Sequence, residues 1–137
     1  MLSVGISLPS YSDDDGHGGT NLGIKTEILA KSSKEWSGEF LPPYPKSQPE
    51  ITVLRITVPA GVKLPFHTHP VINSAVVIQG TLELSLQDNT KRIFNNGDAL
   101  IEVVNKVHTG KSIGPDDLIV IVFYAGSENF PTTLLVN

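Results

Sequence analysis

The chain has 137 residues, of which 39% are apolar and 18% charged, a length and composition that suit one folded domain and argue against intrinsic disorder. Fourteen acids against ten Lys and Arg leave a net charge of −4, with neither the basic face that nucleic acid requires nor a polybasic cluster for an anionic membrane. With no cysteine there is no disulfide and no thiolate, so any metal must be held by nitrogen and oxygen donors.

Residues 1–22 are rich in Ser, Gly and Asp and read as a flexible arm, with His17 a solvated side chain within it. Residues 23–137 read as a single all-β domain. Ile24–Leu29 is the first predicted strand. Leu41-Pro42-Pro43-Tyr44-Pro45 is too proline-rich for a helix interior or central strand and reads as a stiff surface segment at a barrel mouth. Ile51–Val58 is a strong strand, ended by Pro59-Ala60-Gly61. Ser74–Gln79 and Thr81–Gln87 follow, and in the second Leu82, Leu84 and Leu86 alternate with polar residues at the period of a half-buried strand. Asp88-Asn89-Thr90 and Asn95-Asn96-Gly97-Asp98 carry turn chemistry. Ala99–Val104, Val107–Lys111 and Leu118–Tyr124 complete the set, the stretch Leu118–Phe123 being apolar on both faces as in a strand covered on both sides. Many short strands and no capped period-3.6 segment indicate a sandwich or barrel.

Three of the four histidines fall within this domain. His67 and His69 are two apart, so on extended backbone both imidazoles leave the same face, an arrangement suited to a divalent first-row metal. Their surroundings are specific. Gly61, five residues, His67-x-His69, three residues, Asn73, six residues and Gly80 make one stretch. Gly97, five residues, Val103-x-Asn105, two residues, His108, three residues and Ser112 make another. These resemble the two motifs of the cupin superfamily, over roughly residues 50–125. Asn73 stands where the family has Glu, Val103 where it has Pro, Asn105 where it has Gly, and Ser112 where it has Asn. Asn105 is a mild change, because Asn also visits positive φ.

The resemblance implies a double-stranded β-helix (jelly-roll) barrel with a metal at its centre. Its ligands would be His67, His69 and His108, with Asn73 at the fourth position. An amide oxygen is a weaker donor than a carboxylate and leaves the site one unit more positive. That change would weaken metal retention, raise Lewis acidity and favour an anionic ligand, or leave the fourth position open to water. The expected cofactor is divalent Fe, Mn, Zn, Ni or Cu. Phe66, Tyr44 and Phe123 are candidate pocket residues, as is Trp36, against the common alternative that aromatics of a small barrel are core. Glu102 and Arg55 read as exposed strand positions, the other reading being an inward acid/base or anion anchor.

The leading functional expectation is a metal-dependent oxygenase, isomerase or lyase acting on a small, anionic-leaning molecule in the barrel. A non-catalytic ligand-binding or sensor barrel is the second reading. A metal-free sugar-modifying cupin is the third, with Lys63, Lys106 and Lys111 as a loose phosphate cradle. The resemblance also implies a homodimer, for which Ile24–Leu29 is a candidate contact. The longest apolar runs are too short to span a bilayer and no basic n-region opens the chain, so a cytoplasmic protein is expected, or a periplasmic or secreted one had a leader been removed.

Overall fold

The computed structural model describes residues 22–137. The arm expected over 1–22, with His17, therefore lies outside the described residues except for Leu22, which is exposed. Among the described residues the chain forms strands and no helix: β1 (Pro49–Val58), β2 (His67–Thr68), β3 (Ile72–Gln79), β4 (Thr81–Leu86), β5 (Lys91–Asn95), β6 (Ala99–Ile101), β7 (His108–Ser112), β8 (Leu118–Ser127) and β9 (Leu134–Leu135). They make two antiparallel sheets, ordered β1-β8-β3-β6 and β5-β4-β7-β2-β9. This is the double-stranded β-helix that the two motifs imply.

Alternation decides what each sheet buries. On β3, Asn73, Ala75 and Val77 are buried, and on β8 Leu118, Val120, Val122 and Tyr124 are buried opposite them. Leu82 and Leu84 of β4 and Phe94 of β5 supply the other wall of the core. These inward side chains remove their apolar area from water, the main term holding two sheets face to face. The outer face of β8 is only partly covered. Phe123 is 44% exposed and lies opposite Val53 of β1, itself 57% exposed. The expectation that β8 is covered on both faces thus fails within one chain.

No strand forms over 24–29, and Ile24, Ile28 and Leu29 are exposed, because no described strand lies beside them to complete a ladder. Further along, Lys34 and Phe40 form an isolated bridge, and Trp36 N–H donates to Ile101 O at 2.9 Å. This docks the segment on the free edge of β6 and carries Glu35 and Trp36 toward the barrel.

Turn chemistry sets the corners. Gly80, between β3 and β4, has φ +79°, and a Cβ there would lie 2.8 Å from Asp117 O and 3.0 Å from Leu118 Cα. Only glycine satisfies both demands. Asn105 holds φ +56° where the family has Gly, and its N–H donates to His69 O at 2.8 Å. That bond ties the turn before His108 to the backbone of the His67-x-His69 segment.

Candidate metal centre

His67 lies on β2 and His108 on β7, directly opposite in register. His69 follows β2, and both histidines of the pair are buried, as same-face geometry requires. The three rings converge, with centroids 4.3 Å apart for His67–His108, 4.8 Å for His69–His108 and 4.9 Å for His67–His69. One nitrogen from each lies within 4.8 Å of the others, a group that could hold a metal ion.

The other nitrogens are spoken for. His67 Nδ1 bonds Pro65 O at 2.7 Å, His69 Nδ1 bonds Thr132 O at 2.9 Å and His108 Nδ1 bonds Lys106 O at 2.8 Å. A carbonyl only accepts, so each Nδ1 carries the proton and each Nε2 keeps its lone pair. Backbone carbonyls fixing the tautomer in this way are the usual support of metal-binding imidazoles. His108 Nε2 is wholly buried and has no hydrogen-bond partner. A buried acceptor left alone costs about 1–3 kcal/mol. Burial also holds all three histidines below their ordinary pKa, His69 down to about 4, so they are neutral near pH 7. Neutral, oriented imidazoles around an unpartnered lone pair fit a divalent ion.

His67 and His69 line a cavity of about 230 Å³, and the His108 ring packs against both. Its walls are mostly apolar, with Leu64, Leu82, Leu100, Val120 and Val122 among them. Asn73, Glu102, Tyr124 and Thr133 add polar groups. Asn73 is buried at the site, as the motif implies, with its Nδ2 3.4 Å from Val71 O. The C-terminal segment packs beside His67 and His69: β9 pairs with β2, and Thr133 Oγ1 lies 3.2 Å from His69 Nδ1.

Several expectations change. Tyr44 is 74% exposed, Phe66 stacks its ring under the Lys63 ammonium, and Phe123 faces outward on β8, so none of the three lines the cavity. Trp36 packs against the core rather than on the cavity wall. Lys63, Lys106 and Lys111 do not line it either, and Lys106 is paired with Glu35 and Glu39. Arg55 is an exposed strand residue, as read.

Glu102 is the main correction. It is buried, not exposed, and it lines the cavity. Trp36 Nε1 donates to its Oε1 at 2.6 Å and Val103 N at 2.9 Å, while its Oε2 lies 3.6 Å from His108 Nε2. Burial pushes its carboxyl up to about 7, against those two hydrogen bonds. The available signal was an acid inside the apolar run Ala99–Val104.

The cupin domain family matches residues 54–124 of the chain. No curated protein matches by sequence. Among solved structures, a conserved protein with a double-stranded β-helix domain from Klebsiella pneumoniae is 20% identical with a TM-score of 0.55, covering 69% of this chain and 90% of that one. DMSP lyase DddQ from Ruegeria pomeroyi DSS-3 is 20% identical with a TM-score of 0.54, covering 63% of this chain and 43% of that one. Oxalate decarboxylase from Lactobacillus farciminis is 16% identical with a TM-score of 0.55, covering 63% of this chain and 26% of that one. The likeness to all three is one of fold, and the match spans less than half the length of either enzyme. Sequence match and architecture agree: the chain belongs to the cupin family.

Proposed function

We propose that this cupin is a metal-dependent enzyme of the oxygenase, isomerase or lyase type, with His67, His69 and His108 as ligands and a small organic molecule as substrate. The observation that carries the reading is the buried, unpartnered His108 Nε2 among three neutral imidazoles, two of which, His67 and His69, line an apolar cavity. Divalent Fe, Mn, Zn, Ni or Cu held there would supply Lewis acidity or, for a redox ion, electron transfer.

The chain's own residues do the rest. The leucine and valine walls exclude water and select a substrate with an apolar body. No Lys or Arg is among the residues lining the cavity, so an anionic group on the substrate would have the ion as its positive partner. That arrangement leaves the metal-free sugar-modifying reading without its basic cradle. Burial raises the Tyr124 phenol above its ordinary pKa, so it remains protonated beside Thr133 and His69. A lyase and a decarboxylase are built on this fold, in keeping with such chemistry here.

The reading includes a homodimer. The outer face of β1 and β8 supports it, where the cross-strand partners Val53 and Phe123 expose apolar surface. A monomer by analytical ultracentrifugation at micromolar concentration would remove that part.

The enzymatic claim is tested by loading purified protein with each ion in turn. Turnover of a panel of small oxygen-bearing molecules is then followed by mass spectrometry, with and without air. Metal-dependent consumption that disappears in His108→Ala is the expected result. A compound that perturbs the spectrum of bound Co²⁺ yet is never consumed would favour a binding barrel instead.

A further inference from the structure

The family's acid is missing at position 73, yet the cavity contains a buried carboxylate. We infer that Glu102 is the carboxylate of this metal centre, reaching it from the residue that follows β6, the strand beside the one that carries Asn73. The inference rests on the metal-binding reading above and adds the group that balances the ion's charge.

Register is the first argument. β3 and β6 pair Ser74 with Ile101 and Ala75 with Leu100, and Glu102 N–H donates to Asn73 O at 3.0 Å. Extending that ladder by one step sets Glu102 opposite Asn73. Ala75 and Leu100 are buried on the inner face, and period-two alternation puts Asn73 and Glu102 there as well. Directly opposed residues have Cβ atoms only about 5 Å apart. An acid moved sideways by one strand therefore reaches the same part of the barrel.

Orientation is the second argument. Glu102 Oε1 takes both hydrogen bonds, from Trp36 Nε1 and Val103 N, which fixes the carboxylate plane. Its Oε2 faces His108, 3.6 Å from the unpartnered Nε2. Two acceptors facing each other at that distance have no proton to share when the acid is ionised. Nitrogen and oxygen donors on one ion, at bond lengths of about 2.1 Å, sit roughly 3–3.6 Å apart. The gap has the span of two ligands to a common cation.

The third argument is elimination. The other buried acid nearby, Glu35, is already committed: it accepts from Val104 N and from Ser37 Oγ, and it pairs with Lys106. Trp36 comes from the segment docked on β6, so that segment serves the site by holding Glu102.

The test uses Zn²⁺ and Co²⁺ alone, titrated against a competing chelator, on wild-type protein, His108→Ala, Glu102→Gln and the double variant Asn73→Glu/Glu102→Gln. Gln keeps an oxygen for Trp36 and Val103, which supports the same fold, and puts an uncharged, non-ligating NH2 in place of the Oε2 that faces His108. Glu102→Gln should weaken binding by about 10–100-fold and alter the Co²⁺ visible spectrum. The double variant, with the acid returned to position 73, should regain most of that loss. Binding and spectrum unchanged in Glu102→Gln, with His108→Ala still abolishing binding, would overturn this inference alone. No ion bound by the wild type would overturn the metal reading and this inference with it. A double variant as weak as Glu102→Gln would show that the two positions do not share the ion, and would also overturn it.

Discussion

Replacing Glu102 by Gln should make the metal-free protein more sensitive to acid. Burial lowers His69 from 6.5 to about 4, so between those values the unfolded chain holds a proton that the folded chain refuses. Stability from this group is present above pH 6.5 and is lost as pH falls toward 4. Burial raises Glu102 from 4.5 to about 7, so there the folded chain holds a proton that the unfolded chain releases. Its contribution is full below 4.5 and is lost as pH rises through about 7. Between about pH 7 and pH 5, His69 removes about 2 kcal/mol and Glu102 returns about 2 kcal/mol. His67 and His108 are also lowered and add to the loss on the acid side. The wild type should therefore lose about 2 kcal/mol less over this range than its histidines alone would cost it. The Gln variant, lacking the compensating proton, should lose about 2 kcal/mol more, or about 5–10 °C in Tm. Thermal melts of chelator-treated protein at the two pH values measure this directly. Parallel pH dependence in wild type and variant would refute the opposed-proton reasoning.

Two other perturbations separate fold from site. Gly80→Ala forces a Cβ into left-handed backbone against Asp117 O and Leu118 Cα, and should cost about 2–4 kcal/mol by denaturant unfolding. Metal bound per folded molecule should stay the same. Ala75→Leu adds bulk to the cavity wall between Leu100 and Val122, its cross-strand partners, so it should abolish small-molecule binding while leaving Zn²⁺ affinity intact. Unchanged small-molecule binding would place the ligand outside the cavity.

The strongest strands were legible because their alternation is strong, as in Leu82, Leu84 and Leu86 of β4. β5 was missed because Phe94 is its only buried residue, and β9 because two exposed residues carry no period. Ile24–Leu29 failed for the opposite reason: its residues favour extended backbone, but a strand needs a partner, and partners are set by the whole fold. His67 and His69 were legible as a same-face pair from their spacing, and His108 from the resemblance of its stretch to the second cupin motif. Glu102 was not, because burial of an acid depends on donors far away in sequence, here the Trp36 indole, sixty-six positions away. The aromatics Phe66, Tyr44 and Phe123 misled because residue type does not fix which face of a barrel a side chain takes.

Metal content is the most direct test of the central claim. Tag-free protein, stripped with chelator and reconstituted with Zn²⁺ or Co²⁺, should retain about one ion per chain after desalting, as a three-histidine centre requires. His108→Ala should retain none. Wild-type protein that holds no ion after reconstitution with Fe²⁺, Mn²⁺, Zn²⁺, Ni²⁺ or Cu²⁺ would contradict the account.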